Sequence, residues 1–310
     1  MNQKLTAETL KGNWATLLLP INSDDSIDYH LLAAEIDYLI AAGVDGIYSN
    51  GTAGEFHNQT EEEFDKINAI LAERCTAAGM RFQIGASHPS PMISLERVKR
   101  SIDLKPDAVQ VILPDWVTAN QQEQISFLEV MAGFDVPLVL YNPPHAKTVL
   151  KPDEFATLKQ AVPQLIGLKV LSGNEHWFAD MKQYAGNLSV FVPGHLLASG
   201  VKNGVASGAY SNVACINPGA AQRWWAQMQT DIASALDVEQ RILQFFGECI
   251  APYQQKQYSN PALDKFLAAV GGWMPLGTRL RWPYQYISAE DITLVRKRAI
   301  NLIPEFFNNL

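Results

Sequence analysis

Lys169 lies in the middle of an otherwise apolar run, residues 165–171, which reads Leu-Ile-Gly-Leu-Lys-Val-Leu. A run of this length and aliphatic content is typical of a buried β-strand. Side chains alternate along a strand, so Lys169 should share one face with Leu165, Gly167 and Leu171. If that face points into the protein interior, loss of water lowers the pKa of the amine, and a neutral amine is a nucleophile toward ketones. A lysine that extends to solvent near the strand end is the alternative interpretation.

Tyr141 ends a second aliphatic run, residues 137–141, and Asn-Pro-Pro follows it. The two prolines restrict the backbone, so the phenol projects from a rigid position at the end of a strand. Rigid placement suits a group that transfers protons. A core tyrosine with one satisfied hydrogen bond would have the same sequence pattern.

Residues 51–55 read Gly-Thr-Ala-Gly-Glu and directly follow a third short run. Gly51 and Gly54 flank Thr52 and Ala53, and glycines let successive backbone N–H groups turn toward one anion. The Thr52 hydroxyl would add a further donor. We therefore expect a carboxylate-binding turn, although many strand-to-helix turns share this spacing.

The composition restricts the class of protein that carries these residues. The chain has 310 residues and a formal net charge of −8, which disfavours nucleic acid as a partner. Hydrophobic residues make up 47% and charged residues 18%, as in ordinary globular proteins. The N-terminus lacks the apolar segment of a secretion signal, and no apolar run approaches the roughly 20 residues that cross a membrane. We expect a cytoplasmic protein with no membrane partner.

Metal and disulfide sites have no support in the sequence. The three cysteines are Cys75, Cys215 and Cys249. They are far apart in the sequence and lack CxxC spacing, which fits a reducing compartment. The six histidines contain no HxH or HExxH pair, so no metal ligand set is expected. The GxxxxGK[ST] motif of nucleotide-dependent enzymes is also missing from the sequence.

Strand-like and helix-like segments alternate along the chain, and this order must position the three candidate sites. Eight short apolar runs are interpreted as strands, at residues 13–20, 46–50, 81–86, 108–113, 137–142, 165–171, 188–192 and 204–208. Amphipathic helices are expected between them, at residues 27–42, 61–78, 91–104, 121–133, 152–161, 175–184 and 196–202. After the eighth strand the pattern is helical only, at residues 218–235, 238–251, 261–271 and 289–306.

Eight strand–helix units with two-sided apolar strands predict an α/β fold, the (β/α)8 TIM barrel, with a C-terminal helical extension. A doubly wound open sheet is the alternative, but it needs a glycine-rich turn after the first strand, and residues 19–24 contain no glycine. We expect one structural domain, with the barrel at residues 1–216 and the last barrel helix plus the extension at residues 217–310. Catalytic residues of such barrels lie at the C-terminal ends of strands, where the three candidate sites fall.

Taken together, the turn at residues 51–55, the Tyr141-Asn-Pro-Pro segment and Gly167-Leu-Lys169 resemble the dihydrodipicolinate synthase / N-acetylneuraminate lyase family in their order and barrel positions. The resemblance covers nearly the whole chain, including the helical tail. It implies a (β/α)8 barrel that forms a homo-oligomer, a dimer or usually a tetramer. It also implies class I aldolase chemistry on 2-oxo acids without a metal or organic cofactor.

The resemblance gives each motif an expected role. Lys169 would be the Schiff-base amine, Tyr141 the proton shuttle and Thr52 a hydroxyl relay near the substrate carboxylate. The turn is expected to contact that carboxylate through Gly51, Ala53 and Gly54. The amine would attack the ketone of pyruvate or another 2-oxo acid, and the iminium would accept electrons when the C3–C4 bond is made or broken.

The chain departs from the family pattern where a second substrate would bind. Ala53 replaces a carboxylate-binding hydroxyl, and Trp116 stands where the synthase branch has a relay tyrosine. The arginine of that branch after the YNxP motif is also missing, because the sequence there is His145-Ala-Lys147-Thr. These differences argue against synthesis of the lysine precursor. Contacts to the second substrate are expected from Trp116, His145, Lys147, His195 and Gly208.

Four functions remain compatible with the sequence. An aldolase and a 2-keto-3-deoxy sugar-acid dehydratase would use the same iminium. A genuine dihydrodipicolinate synthase is the third, and a non-catalytic protein that binds 2-oxo acids is the fourth. The joint presence of Lys169, Tyr141 and Thr52 favours a lyase.

Overall fold

Eight parallel strands close into a barrel in the computed structural model, which describes residues 3–308. Neighbouring strands pair in sequence order, and the last pairs with the first. The strands are β1 Gly12–Thr16, β2 Gly46–Ser49, β3 Phe82–Gly85, β4 Ala108–Ile112, β5 Leu138–Asn142, β6 Leu165–Val170, β7 Ser189–Phe191 and β8 Ala206–Tyr210. The (β/α)8 barrel predicted from the sequence is confirmed.

Helices separate the strands and continue after the last of them. Between strands lie α1 Tyr29–Ala41, α2 Glu61–Ala78, α3 Pro91–Ile102, α4 Gln121–Ala132, α5 Pro152–Ala161, α6 Glu175–Tyr184 and α7 Leu197–Lys202. After β8 come α8 Asn212–Ile216, α9 Pro218–Thr230, α10 Ile232–Phe245, α11 Ala251–Gln255, α12 Asn260–Gly271 and α13 Ile292–Leu302. Within residues 3–308, no helix has both the length and the hydropathy needed to cross a membrane.

Capping side chains set where the helices begin. The Thr60 hydroxyl accepts a hydrogen bond from the Glu63 amide, and the Glu63 carboxylate accepts one from the Thr60 amide, so α2 starts with a capping box. Helix α1 starts at residue 29 rather than 27 because Asp28 caps it. The Asp28 carboxylate accepts hydrogen bonds from the amides of His30 and Leu31.

The helices after β8 are more interrupted than the sequence predicts. Instead of one helix over residues 218–235, Asp231 ends α9 and caps α10, where its carboxylate accepts a hydrogen bond from the Ser234 amide. Aspartate competes with the helical backbone for hydrogen bonds and favours a cap over a helix interior. Helix α10 then passes into a π-helical turn at Phe246–Ile250, inside the segment predicted as a helix over residues 238–251.

Two apolar clusters hold the barrel together. One lies between the strands and the surrounding helices. The other fills the barrel interior and contains Leu5, Leu10, Trp14, Tyr48, Ala108, Val139, Ile166, Phe191 and Tyr210. Tyr48 on β2 and Tyr210 on β8 are not on neighbouring strands, yet their ring centroids are 4.6 Å apart. Such a contact is possible only across the inside of the barrel.

Strand β6 contains a bulge that changes which side chains face inward. Leu138 of β5 pairs with Leu165, but the next residue, Val139, pairs with Gly167, so Ile166 is an extra residue. Ile166 therefore joins the interior cluster, while Leu165 packs in the outer one. The prediction that Leu165 shares the face of the lysine is wrong for this reason.

Candidate active site

The Lys169 amine lies at the mouth of the barrel among three tyrosine rings. Its Nζ is 4.2 Å from the ring centroid of Tyr141, 4.9 Å from that of Tyr48 and 5.6 Å from that of Tyr210. It also donates a hydrogen bond of 3.1 Å to the Tyr48 hydroxyl. Lys169 and Tyr141 are paired residues on neighbouring strands. The side chain of the lysine is therefore directed into the barrel and not outward to solvent.

The environment of Lys169 favours the neutral amine. Burial lowers its pKa from 10.5 to about 8, because the ammonium loses its hydration, and the negative charge of Asp264 opposes this shift. Within residues 3–308, no carboxylate forms an ion pair with Nζ. A substantial fraction of the amine is therefore neutral slightly above pH 7, whereas an ordinary lysine, with a pKa of about 10.4, is almost entirely charged there.

Tyr141 is linked to the turn after β2 by a hydrogen bond. The Thr52 hydroxyl donates to the Tyr141 hydroxyl over 3.3 Å. Burial raises the pKa of Tyr141, so the phenol keeps its proton at neutral pH. With Thr52 donating to it, Tyr141 can direct its own proton into the space beside Lys169. The structure thus brings together the three residues that the sequence suggests for catalysis.

The turn at residues 51–55 has the free amides of an anion site. Across the described residues 3–308, the N–H groups of Thr52, Ala53 and Gly54 have no hydrogen-bond acceptor. Ala53 also lines the cavity around Lys169. Successive free amides in a turn bind anions such as carboxylates. The turn is therefore suited to hold the carboxylate of a small acid beside the amine.

Close packing explains the two glycines of this turn. A Cβ on Gly51 would lie 2.5 Å from the ring of Tyr48, and one on Gly54 would lie 3.0 Å from a backbone carbonyl oxygen. The turn ends at Glu55, which has a left-handed φ of 52°. The Glu55 carboxylate is bound to the buried Lys265 amine at 2.6 Å. These contacts fix the position of the turn.

A cavity of about 340 Å³ surrounds the amine. Its inner wall is formed by phenol rings, those of Tyr48, Tyr141 and Tyr210. Its outer wall is polar and comes from loops and C-terminal helices, with His195, Asn212, Gln254, Asn260 and Asp264. A cavity of this size accommodates a small organic molecule. The aromatic and polar walls suit a substrate with one reactive end and several hydroxyl groups.

His195 lies in the polar wall in one defined tautomer. Its backbone N–H donates to Asn212 Oδ1 at 3.3 Å, which leaves the Asn212 Nδ2 group to contact the His195 Nδ1 at 2.8 Å. Nδ1 is therefore an acceptor, so the neutral ring carries its proton on Nε2. Burial lowers the pKa of the imidazole and keeps it neutral. The ring stacks on Phe246 of the π-helical turn, with centroids 4.8 Å apart.

Other residues expected to contact a second substrate are placed differently. His145 lines the cavity. Gly208 lies within β8, where a Cβ would come 2.3 Å from the Gly12 carbonyl oxygen, so it allows close strand packing and does not line the cavity. Trp116 is 82% exposed, and the Lys147 amine donates to its carbonyl oxygen at 2.7 Å. Trp116 and Lys147 thus form a surface pair outside the cavity lining.

Tyr48, Tyr210 and Asp264 are among the cavity residues that the sequence interpretation did not include. The alternation of side chains along β2 is consistent with an inward position for Tyr48, but a tyrosine in a strand is commonly a core residue and gives no specific signal. Tyr210 was missed because the eighth strand, predicted at residues 204–208, actually ends at Tyr210. Asp264 lies in a helix expected to belong to the C-terminal extension. Its only signal is a carboxylate, next to Lys265, in a helix at residues 261–271 that is otherwise apolar.

Asp264 is a buried carboxyl group with 5% of its surface exposed. Its Oδ2 accepts a hydrogen bond from Asn260 Nδ2 at 3.0 Å. Burial raises its pKa from 3.8 to about 7, and the positive charge of Lys169 opposes this shift. The carboxyl and the amine therefore change protonation over neighbouring pH ranges.

The cavity has no ligand set of the kind that binds metal ions. Within residues 3–308, no three His, Cys, Asp or Glu side chains are close enough to share a metal ion. The polar side chains of the outer wall are amides, an imidazole and one carboxyl group. They are suited to hydrogen bonds with an organic substrate.

Comparison with known proteins identifies the family. A family model described as the dihydrodipicolinate synthetase family matches residues 9–299. The chain belongs to this family. The resemblance seen in the Gly-Thr-Ala-Gly-Glu, Tyr-Asn-Pro-Pro and Gly-Leu-Lys segments is thereby confirmed.

Two curated members of the family are similar over part of the chain. The 4-hydroxy-tetrahydrodipicolinate synthase of Phocaeicola vulgatus is 28% identical over 168 residues, which are 53% of this chain and 56% of the relative. The enzyme of the same name from Methanosphaerula palustris is 37% identical over 73 residues, 23% of this chain and 25% of the relative. The chain thus matches about half the length of the first relative and a quarter of the second.

Solved structures share the fold over nearly the whole chain. YagE, a prophage protein of the dihydrodipicolinic acid synthase family from E. coli K12 in complex with pyruvate, has a TM-score of 0.83 and 22% identity, covering 94% of this chain and 98% of its own. CdNal from Clostridium difficile in complex with mannosamine has a TM-score of 0.81 and 18% identity, covering 96% and 99%. At these identities the likeness establishes the fold.

Proposed function

We propose that this family member is a lyase that forms a Schiff base between Lys169 and pyruvate or another 2-oxo acid, and that it makes or breaks the C3–C4 bond of the adduct. The observation that carries the proposal is the Lys169 amine, enclosed by three phenol rings and without an ion-pair partner among residues 3–308. A substantial fraction of such an amine is neutral near physiological pH, and the neutral form is nucleophilic toward ketones. Members of the dihydrodipicolinate synthetase family are lyases, which agrees with this chemistry.

Substrate binding would begin at the turn after β2. The free amides of Thr52 and Ala53 would hold the carboxylate of the 2-oxo acid, since they have no other acceptor in the described chain. This places the adjacent ketone carbon beside the Lys169 amine. YagE, which shares the fold, is described in complex with pyruvate, and pyruvate has the size and charge that this turn would accept.

The iminium would then accept the electrons of the C3–C4 bond. When that bond breaks, the C4 hydroxyl loses a proton and becomes an aldehyde, while the electron pair moves to form an enamine on Lys169. Tyr141 would take up that proton while its own proton passes to C3, so the phenol stays neutral, with the Thr52 hydroxyl as the hydrogen-bonded next member of the relay. Water then releases pyruvate from the amine. The same steps in reverse form the bond.

The cavity disfavours a second substrate that carries a carboxylate. Within the described chain, no arginine lines the cavity, and the Lys147 amine is bound to the Trp116 carbonyl oxygen outside it. Aspartate semialdehyde would bring a second carboxylate without a cation to pair with it. We therefore propose a hydroxylated aldehyde as the partner, bound by the amides and imidazole of the outer wall, and not the reaction named for the two curated relatives.

Borohydride trapping tests the proposal. The protein is incubated with pyruvate, reduced, digested and mapped by mass spectrometry. We expect a carboxyethyl group on Lys169 and on no other lysine. A panel of hydroxylated 2-oxo acids then distinguishes the reactions: pyruvate release indicates an aldolase, and loss of water with an intact carbon chain indicates a dehydratase. An adduct without turnover of any panel member would indicate a binding protein, and no adduct would contradict the proposal.

A further inference from the structure

Asp264 is a buried carboxyl group in the cavity wall that the steps above do not use. Its Oδ2 is held by Asn260, while no donor within residues 3–308 contacts Oδ1. No Lys, Arg or His of the described chain forms an ion pair with it either. Burial of a carboxylate without a cation is unfavourable, so a carboxyl group in this position is expected to hold a proton during part of its working cycle.

His145 and His195 line the same cavity as Asp264. Four further titratable groups interact with the charge of Asp264 and come from four elements. They are Tyr48 on β2, Tyr141 on β5, Lys169 on β6 and Cys215 on α8. Burial raises the pKa of both phenols and of the thiol, so these groups stay protonated and neutral. Among these five groups, the Asp264 carboxyl and the Lys169 amine are therefore the two that change charge near neutral pH, with pKa values of about 7 and about 8.

The geometry leaves space for a reacting atom between the two groups. Asp264 and Lys169 line the same cavity, but neither a hydrogen bond nor an ion pair joins them. Lys169 donates to Tyr48 and Asp264 accepts from Asn260, so neither group uses the other as its hydrogen-bond partner. A ketone carbon attacked by Nζ, together with its oxygen, would occupy the gap.

We propose that Asp264 is the general acid of Schiff-base formation, an inference that rests on the proposed function. The neutral Lys169 amine attacks the C2 ketone, and a proton moves from nitrogen to the former ketone oxygen to give a carbinolamine. The Asp264 carboxyl then donates its proton to the carbinolamine hydroxyl. The C–O bond breaks, water leaves, and the nitrogen electron pair forms the C=N bond.

This step keeps the cavity neutral overall. In the reactive state the amine and the carboxyl group are both uncharged, and after the step an iminium cation lies beside the Asp264 carboxylate. The charge that forms on the adduct is thus matched by the charge left on its proton donor, inside a cavity where an unmatched charge would be costly. Hydrolysis of the iminium reverses the step and returns the proton to Asp264.

The test is the rate of adduct formation in Asp264→Asn, which keeps the size of the side chain and removes the acidic proton. Protein and pyruvate are mixed, reduced with borohydride at timed intervals, and the Lys169 adduct is quantified. We expect at least about a 100-fold slower rate, the lower end of the range for general acid catalysis. Asp237→Asn removes an exposed carboxylate on α10 and should leave the rate unchanged. Circular dichroism and thermal unfolding check that each variant is folded.

The pH dependence of the rate of adduct formation gives a second readout, and its wild-type profile does not need a stable variant. In the wild type, the reactive state of the pair holds one proton, so the rate should rise up to a pH of about 7 and fall above about 8. In Asp264→Asn the fall at high pH should disappear, because only the amine titrates.

Each outcome decides between the possibilities. If Asp264→Asn forms the adduct as fast as the wild type, the role of Asp264 is overturned while the proposed function stays intact. The same holds if the wild-type rate of adduct formation only rises with pH. Absence of a wild-type adduct with pyruvate overturns both. A slow variant together with a bell-shaped wild-type profile supports the assignment.

Discussion

Lys265 and Lys169 both place their amines away from bulk water but in different surroundings, and the comparison shows what makes one of them suited to chemistry. Lys265 on α12 is fully buried, and its amine donates to the Glu55 carboxylate and to the Arg279 carbonyl oxygen, each at 2.6 Å. Lys169 donates only to a phenol. Burial lowers the pKa of both amines, but the charge of Glu55, in direct contact, opposes this for Lys265. Contact with the Glu55 carboxylate gives Lys265 a structural role. Within the described chain Lys169 has no such contact, so its amine is available to react with a substrate.

The two regions are mechanically connected. Glu55 ends the turn that also contains Thr52, and Lys265 is the neighbour of Asp264 on α12. The ion pair between Glu55 and Lys265 therefore connects the proposed carboxylate site to α12, which contributes Asp264 to the cavity wall. Loss of this ion pair should therefore disturb the positions of both the turn at residues 51–55 and helix α12.

Removal of the unpaired lysine should have the largest effect on activity. Lys169→Met keeps most of the aliphatic volume and deletes the amine. We expect no trapped adduct and a loss of turnover of at least about 10⁴-fold, the order seen when a catalytic nucleophile is deleted. Because the amine has no ion-pair partner, the protein should remain folded, which thermal unfolding would show. An active Lys169→Met variant would contradict the comparison.

Removal of the paired lysine should act on stability. Lys265→Met leaves the Glu55 carboxylate buried without its partner, and the free energy of unfolding should fall by about 3–5 kcal/mol. Urea unfolding measures this. The matched control is the double variant Lys265→Met with Glu55→Gln, which removes the unpaired charge and should recover part of the loss. Equal stability of Lys265→Met and the wild type would show that the ion pair is not structural.

Loss of the phenol proton should slow turnover without preventing the adduct. In Tyr141→Phe the amine remains, so pyruvate should still be trapped on Lys169, while kcat should fall by about 100-fold because the proton relay is missing. Steady-state kinetics and trapping are compared on the same preparation. If the adduct and the turnover were lost together, Tyr141 would act in Schiff-base formation and not after it.

The lowered pKa of Lys169 also predicts a pH-dependent difference in stability. Between a pH of about 8 and 10.5 the unfolded chain binds a proton on this amine that the folded chain releases. Stability should therefore rise with pH across this range relative to Lys169→Met, by about 3 kcal/mol. Urea unfolding of both proteins at several pH values tests this. A constant difference would mean that the amine has an ordinary pKa in the folded protein.

The residues that the barrel strands contribute to the site were predictable from sequence, because short sequence segments are enough to recognise each strand and its end. Lys169, Tyr141 and Thr52 each stand at the end of a recognisable strand, and the fold then brings those ends together. The bulge at Ile166 was not predictable, because it depends on pairing with β5. The inward positions of Lys169 and Gly167 are unaffected, since both follow the bulge.

The helical side of the site depends on tertiary packing. Asp264 reaches the cavity only because α12 packs against α8 near the barrel mouth. Phe246 supports His195 only because α10 passes into a π-helical turn. Trp116 depends on loop direction in the same way: its position in the sequence suggested a substrate contact, and the loop turns its ring outward. The local sequence of these segments does not indicate how their helices pack or in which direction their loops turn.

The most direct test of the central claim is an NMR titration of the Lys169 amine. Protein labelled with ¹³C at the lysine ε-carbon is titrated with alkali, and the Lys169 resonance is assigned by its loss in Lys169→Met. We expect a midpoint at a pH of about 8 and a large change of this resonance on addition of pyruvate. A midpoint near 10.5, with no response to pyruvate, would contradict the account.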